Sequence, residues 1–180
     1  MKRFLVGLLV VGAGLALAEA PRIKRAAMQS LEQGFDAMLS SAPEPCELLG
    51  NTRGIYLENY GAVFTALVNL VYTPTPNPFR PALSATELRT LHDRKVKKIA
   101  MLKGQMQEML LTMAASPGLD SVRPNEQVVC GVTLFYYSWE SVDGLPRQIV
   151  VQGEKQQLLQ VQNGKLPKSQ LESIVKVQEL

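Results

Sequence analysis

The apolar positions of the chain fall into a few clear patterns. From Arg22 to about Leu39 they recur every four residues, at Ile23, Ala27, Leu31, Phe35 and Leu39, with Met28 and Met38 beside them. That spacing is one stripe of an amphipathic helix. Ser40 to Pro45 ends it, because neither Pro43 nor Pro45 can continue a helix. Two runs rich in β-branched and aromatic residues follow, 54–61 and 62–72, and Asn59-Tyr60-Gly61 between them predicts a hairpin loop. In the second run Phe64, Ala66, Val68 and Leu70 line one face while Val63, Leu67 and Val71 line the other. A strand apolar on both faces is expected to be interior and covered on both sides.

Residues 73–83 hold four prolines in eleven positions, which predicts a stiff extended connector. Ser84 and Glu87 then have capping-box spacing and open a helix running to about Ala115. Its apolar stripe is Ile99, Leu102, Met106, Met109 and Met113, and its first half is basic. A third strand is predicted over 128–139, a turn at Asp143-Gly144, and a short fourth strand, at an edge, over 148–151. From about Glu154 the tail offers two broken helical stretches and reads as weakly structured.

The order helix, hairpin, helix, hairpin makes this an α+β protein, an α/β sandwich on a mixed sheet of about four strands. The strand over 62–72 spans roughly 35 Å, and the helix over 85–115 roughly 45 Å. The helix can therefore return along the whole strand. The strand over 128–139 should then run parallel to the one over 62–72 by a right-handed crossover. The turns at Asn59 and Asp143 should lie at opposite ends of the sheet.

The N-terminus reads Met-Lys-Arg, an apolar run from Phe4 to Leu17, and Ala16-Leu17-Ala18. A basic start, a short apolar run and a small-x-small end describe a secretory signal peptide over 1–18. Cleavage after Ala18 leaves one globular domain over 19–180. The alternative is an uncleaved membrane-tethering helix, for which the run is short of the roughly 20 residues of a span. Export places the protein in the periplasm or outside the cell. Tyr56-Leu57-Glu58-Asn59-Tyr60-Gly61-Ala62-Val63-Phe64 resembles a segment of uncharacterised exported bacterial proteins. The resemblance implies export and the hairpin, and no activity.

Removing Lys2 and Arg3 with the leader takes the 19 basic residues to 17 against 16 acidic ones. So small a charge argues against a nucleic-acid partner. One His and two Cys exclude the usual His- and Cys-rich zinc sites, and no cofactor motif is present. Cys46 and Cys130 would meet an oxidising compartment, where one disulfide would close a long loop. The alternative is two separate buried thiols, which the expected topology favours by placing them toward different ends of the sheet. His92 sits on the basic half of the long helix and reads as solvated, as do Lys97 and Lys98. Glu140 and Asp143 read as solvated turn residues, and Met106, Met109 and Met113 as core rather than a copper(I) site.

These absences favour a non-catalytic binding or envelope accessory protein whose partner is a protein or another envelope component. Its membrane contact would run only through the leader, if that is retained. The candidate contact is the hairpin tip, Glu58, Asn59 and Tyr60, because a turn does not need an aromatic and binding surfaces favour Tyr. The alternatives are a carboxylate-dependent hydrolase and a membrane-tethered structural protein.

Overall fold

The computed structural model describes residues 23–41, 44–73, 78–79 and 82–180. The leader over 1–18 and most of the proline-rich connector lie outside the described residues. The elements in chain order are α1 (Arg25–Ser41), β1 (Glu47–Leu48), β2 (Arg53–Leu57), β3 (Gly61–Asn69), α2 (Ala85–Ala114), β4 (Gln127–Leu134), β5 (Gln148–Glu154), α3 (Lys155–Gln162), α4 (Leu171–Ile174) and β6 (Lys176–Glu179). The four-residue stripe of α1 buries Met28, Leu31, Phe35 and Leu39. At the start of α2 the Ser84 hydroxyl accepts from the Glu87 amide at 3.3 Å, and the Glu87 carboxylate accepts from the Ser84 amide at 2.9 Å. This is the capping box that the spacing predicts.

The fold is α+β with one mixed sheet, as expected, but the sheet has six strands. β3 and β4 run parallel from Gly61 opposite Gln127 to Val68 opposite Leu134. The length of α2 is therefore used as the crossover argument requires. β1 and β2 both pair antiparallel with the far edge of β3. β5 pairs antiparallel with β4, and β6 with β5. β5 is thus interior rather than an edge. The tail is not weakly structured: after α3 and α4 it returns as β6, whose alternation over 176–179 is too short to read in the sequence.

One expectation about β3 fails. Ala62, Phe64, Ala66 and Val68 are buried, whereas Thr65 and Leu67 are exposed and Val63 is half-buried. Both long helices lie on the Phe64 side. A Cβ on Gly54 of β2 would come within 2.8 Å of the Phe64 ring and 2.9 Å of the Met28 methyl, so α1 packs directly over that corner. α2 packs against β4 and β5 and contacts α1. The core is the single layer between helices and sheet, and it includes Met106, Met109 and Met113. On the opposite face Leu67 is exposed, Val63 half-buried and its neighbour Val129 buried, and no described helix lies over them.

Candidate binding surfaces

The hairpin tip is built on backbone that few residues tolerate. The Tyr60 amide donates to the Leu57 carbonyl at 3.1 Å, closing a turn. Asn59, the third residue of that turn, has φ of 63°, a position that suits Asn. Gly61 has φ of 134°, and a Cβ there would fall 1.9 Å from the Gln127 carbonyl oxygen. The tip is held from below by Glu126, which is 2% exposed. Its carboxylate accepts from the Tyr56 hydroxyl at 3.0 Å, the Asn59 amide at 3.2 Å and the Arg123 amide at 2.8 Å. Arg123 in turn donates to the Asn59 side-chain oxygen at 2.7 Å. Burial, then the hydrogen bond to Glu126 and last the Glu126 charge, push the Tyr56 hydroxyl above its ordinary pKa. Glu58, Asn59 and Tyr60 are all exposed, Tyr60 at 43%.

The tip continues into the face of the sheet that no described helix covers. Ile55 pairs with Val63, and Val63 with Val129, in one row across three strands. Ile55 is 56% exposed, Leu57 44% and Leu67 41%. Leu49 donates its amide to the Leu67 carbonyl at 2.9 Å and is exposed beside it. Charges stand at the margins, with Arg53 on β2, Glu58 at the tip and Lys176 on β6.

The other end of the sheet holds a different set of groups. Lys95 and Lys98 are each 1% exposed, so these two lysines are not on a wet helix face. They take places in the inward stripe that runs through Leu91, Leu102, Met106, Met109 and Met113. Lys95 is ion-paired with Glu140, whose side chain is 3% exposed, and its ammonium lies 4.9 Å from the centre of the Tyr136 ring. Glu140 is therefore not a solvated turn residue. Burial, and then the Glu140 charge, push the Tyr136 hydroxyl up to about 12. That hydroxyl donates to the Pro146 carbonyl at 2.8 Å. The Lys98 ammonium has no hydrogen-bond partner among the described residues.

Above this pair lies a cleft of about 440 Å³, lined by Arg89, His92, Trp139, Glu140 and Asp143 among others. His92 is partly exposed in this cleft, with Nδ1 3.5 Å from the Ser141 carbonyl. The sequence brings Glu140 and Asp143 into one loop; only the fold adds His92 and Arg89 from α2.

Cys46 and Cys130 are both buried, free thiols. Cys130 pairs with Phe64 in mid-strand, while Cys46 precedes Glu47, which pairs with Asn69 at the far end of β3. That is roughly 20 Å of strand, far beyond disulfide reach. The Cys130 thiol donates to the Met113 sulfur at 3.5 Å, and burial pushes its pKa up. Burial raises the Cys46 thiol as well, with the charge of Lys98 opposing.

Among the described residues no group of three His, Cys, Asp or Glu side chains is placed to hold a metal ion. No described helix is long and apolar enough to cross a membrane. No family model matches the chain, and neither a curated protein nor a solved structure is significantly similar to it.

Proposed function

We propose that this is an exported, non-catalytic protein-binding module whose contact surface is the open sheet face together with the hairpin tip. One observation carries the reading. Of the ten large hydrophobic residues exposed among the described residues, five (Leu49, Ile55, Leu57, Tyr60 and Leu67) belong to this face and tip. Scattered exposed Leu is ordinary, whereas a concentrated patch marks an interaction site. Five strands about 4.8 Å apart and about 23 Å long give a face on the order of 500 Å². With the tip, that approaches the roughly 800 Å² each partner contributes to a standard interface. The patch joins exposed apolar side chains on the β1–β3 side of the face, an exposed Tyr at the tip and charges of both signs at the margin, the elements of a contact surface.

The partner is a folded envelope protein presenting an apolar surface, with acid opposite Arg53 and base opposite Glu58. Photo-crosslinkers placed at 55, 60 and 67 should trap one and the same partner in cells, and a crosslinker at the equally exposed Val96 of α2 should trap none. The purified protein should stay monomeric. Equal trapping from 96, or adducts only between copies of the chain, would overturn the reading.

A carboxylate-dependent hydrolase is the second reading, and Glu140 and Asp143 lining one cleft favour it. Against it stands the ion pair to Lys95, which holds Glu140 in place.

A further inference from the structure

The two edges of the sheet are finished differently. At the β2 edge, carboxylates of α1 take up the Thr52 and Gly54 amides, at 2.9 Å and 2.7 Å. β6 is the opposite edge strand, with β5 as its one neighbour in the sheet. Gln148 and Leu180 exchange both backbone hydrogen bonds, at 3.0 Å and 2.9 Å. Antiparallel pairs alternate between bonded and non-bonded, so Gln178 and Lys176 also turn their backbone toward β5. The N–H and C=O groups of Val177 and Glu179 therefore point outward, and no hydrogen bond from the described residues reaches them. Free backbone groups along an edge are a template for one more strand.

Beside this edge, between β6 and α2, runs a groove of about 490 Å³. Its apolar lining includes Ala100, Gly104, Val175 and Val177, and its charges are Lys103 and Glu172. Val177 pairs with the buried Val151, so its side chain is on the helix side of the sheet. Residues opposite it on an added strand point the same way, into the groove. Gly104 is unfavourable in mid-helix, and a Cβ there would meet nothing within 4 Å, so α2 is bare where it lines the groove. Lys103 is neutralised by its ion pair with Glu179, whereas Glu172 is exposed and has no partner among the described residues. One negative charge is left over for a base on the incoming chain.

We infer that β6 and this groove bind an extended peptide segment of another protein, added antiparallel as a further strand. Main-chain bonds to Val177 and Glu179 hold the peptide, and its alternate side chains fill the groove. The residues opposite Glu179 and Val177 are aliphatic, and the one opposite Val175 is basic and meets Glu172. The site is separate from the hairpin-tip contact and stands whether or not that contact exists.

The probe is fluorescein-labelled SVTVTKS amide, titrated with the purified protein. Its anisotropy should saturate with a Kd on the order of 100 μM, and SVTVTES amide should bind at least about fivefold more weakly. N-Methylation of both valines removes the donors that face β6 and should abolish binding. N-Methylation of the threonine between them, whose N–H faces away, should leave affinity within about twofold. Amide exchange at Val177 and Glu179 should be fast in the free protein and slow with the peptide bound. Gly104→Leu fills the groove with a good helix former, so Tm should hold or rise while binding falls at least about tenfold. Glu172→Lys should reverse the preference between the two peptides. Any of four results would overturn the proposal: no binding of SVTVTKS amide, binding that the doubly methylated peptide keeps, binding or charge preference that the two variants leave unchanged, or Val177 and Glu179 amides already protected in a free protein that sediments as a dimer, which would give the edge to a second copy.

Discussion

At the scale of single residues, the buried carboxylates organise the parts of this protein that reach solvent. Glu126 gathers donors from Tyr56, Asn59 and Arg123, and so converts a three-residue loop into a rigid projection. Glu126→Ala strands those donors and should cost about 3 kcal/mol of stability in urea denaturation. Tyr60→Ala removes an exposed ring and should stay within about 0.5 kcal/mol. Nothing near Glu126 in the sequence marks it: it sits in a turn-like stretch, and Tyr56 is 70 residues away. Lys95 and Lys98 differ in this respect. Helical spacing puts both in the stripe from Leu91 to Met113, whereas their charge points to solvent, and in the fold position outweighs charge.

At the scale of elements, α1 does more than cover the core. Glu32 on α1, paired with Arg25 at 2.7 Å, accepts from the Gly54 amide at 2.7 Å. One turn on, Asp36 accepts from the Thr52 amide at 2.9 Å. The helix thereby occupies amides on the outer edge of β2, an edge that would otherwise be open to pairing. The Arg25 guanidinium holds the Glu32 carboxyl below its ordinary pKa against the opposing effect of burial. A carboxylate depressed by folding contributes stability that is full above its unfolded pKa and is lost as pH falls through the folded one. Hydrogen-exchange protection of the Gly54 amide should therefore hold at neutral pH and decline as pH drops below about 4.3. Glu32→Gln should abolish that dependence. The amphipathic stripe of α1 was legible, but its carboxylates look like ordinary polar-face residues until β2 is placed beside them.

At the scale of the molecule, the parallel β3–β4 pair gives the sheet two unlike ends and two unlike faces. The hairpin tip stands at one end and the Glu140 cleft at the other, as the crossover of α2 dictates. The proposed export has its own check. Intact mass of the protein recovered from the periplasm or medium should correspond to a chain beginning at Glu19, and a species beginning at Met1 in the membrane fraction would identify a retained tether.

By itself the sequence determined what depends on neighbours within a few turns: the α1 stripe, the Ser84–Glu87 cap, the β2–β3 hairpin, and, through chain length, the parallel register of β3 with β4. These rest on periods of two and about four residues and on rise per residue, all local quantities. The tertiary structure alone decided which face of β3 is covered, because Val63 and Leu67 satisfy a strand equally well in either setting. It alone made β6 from four residues, since an edge so short exists only when β5 supplies its hydrogen bonds. It alone buried Lys95 with Glu140, since whether a charge meets water or a partner depends on what the fold places opposite it across 45 residues of chain.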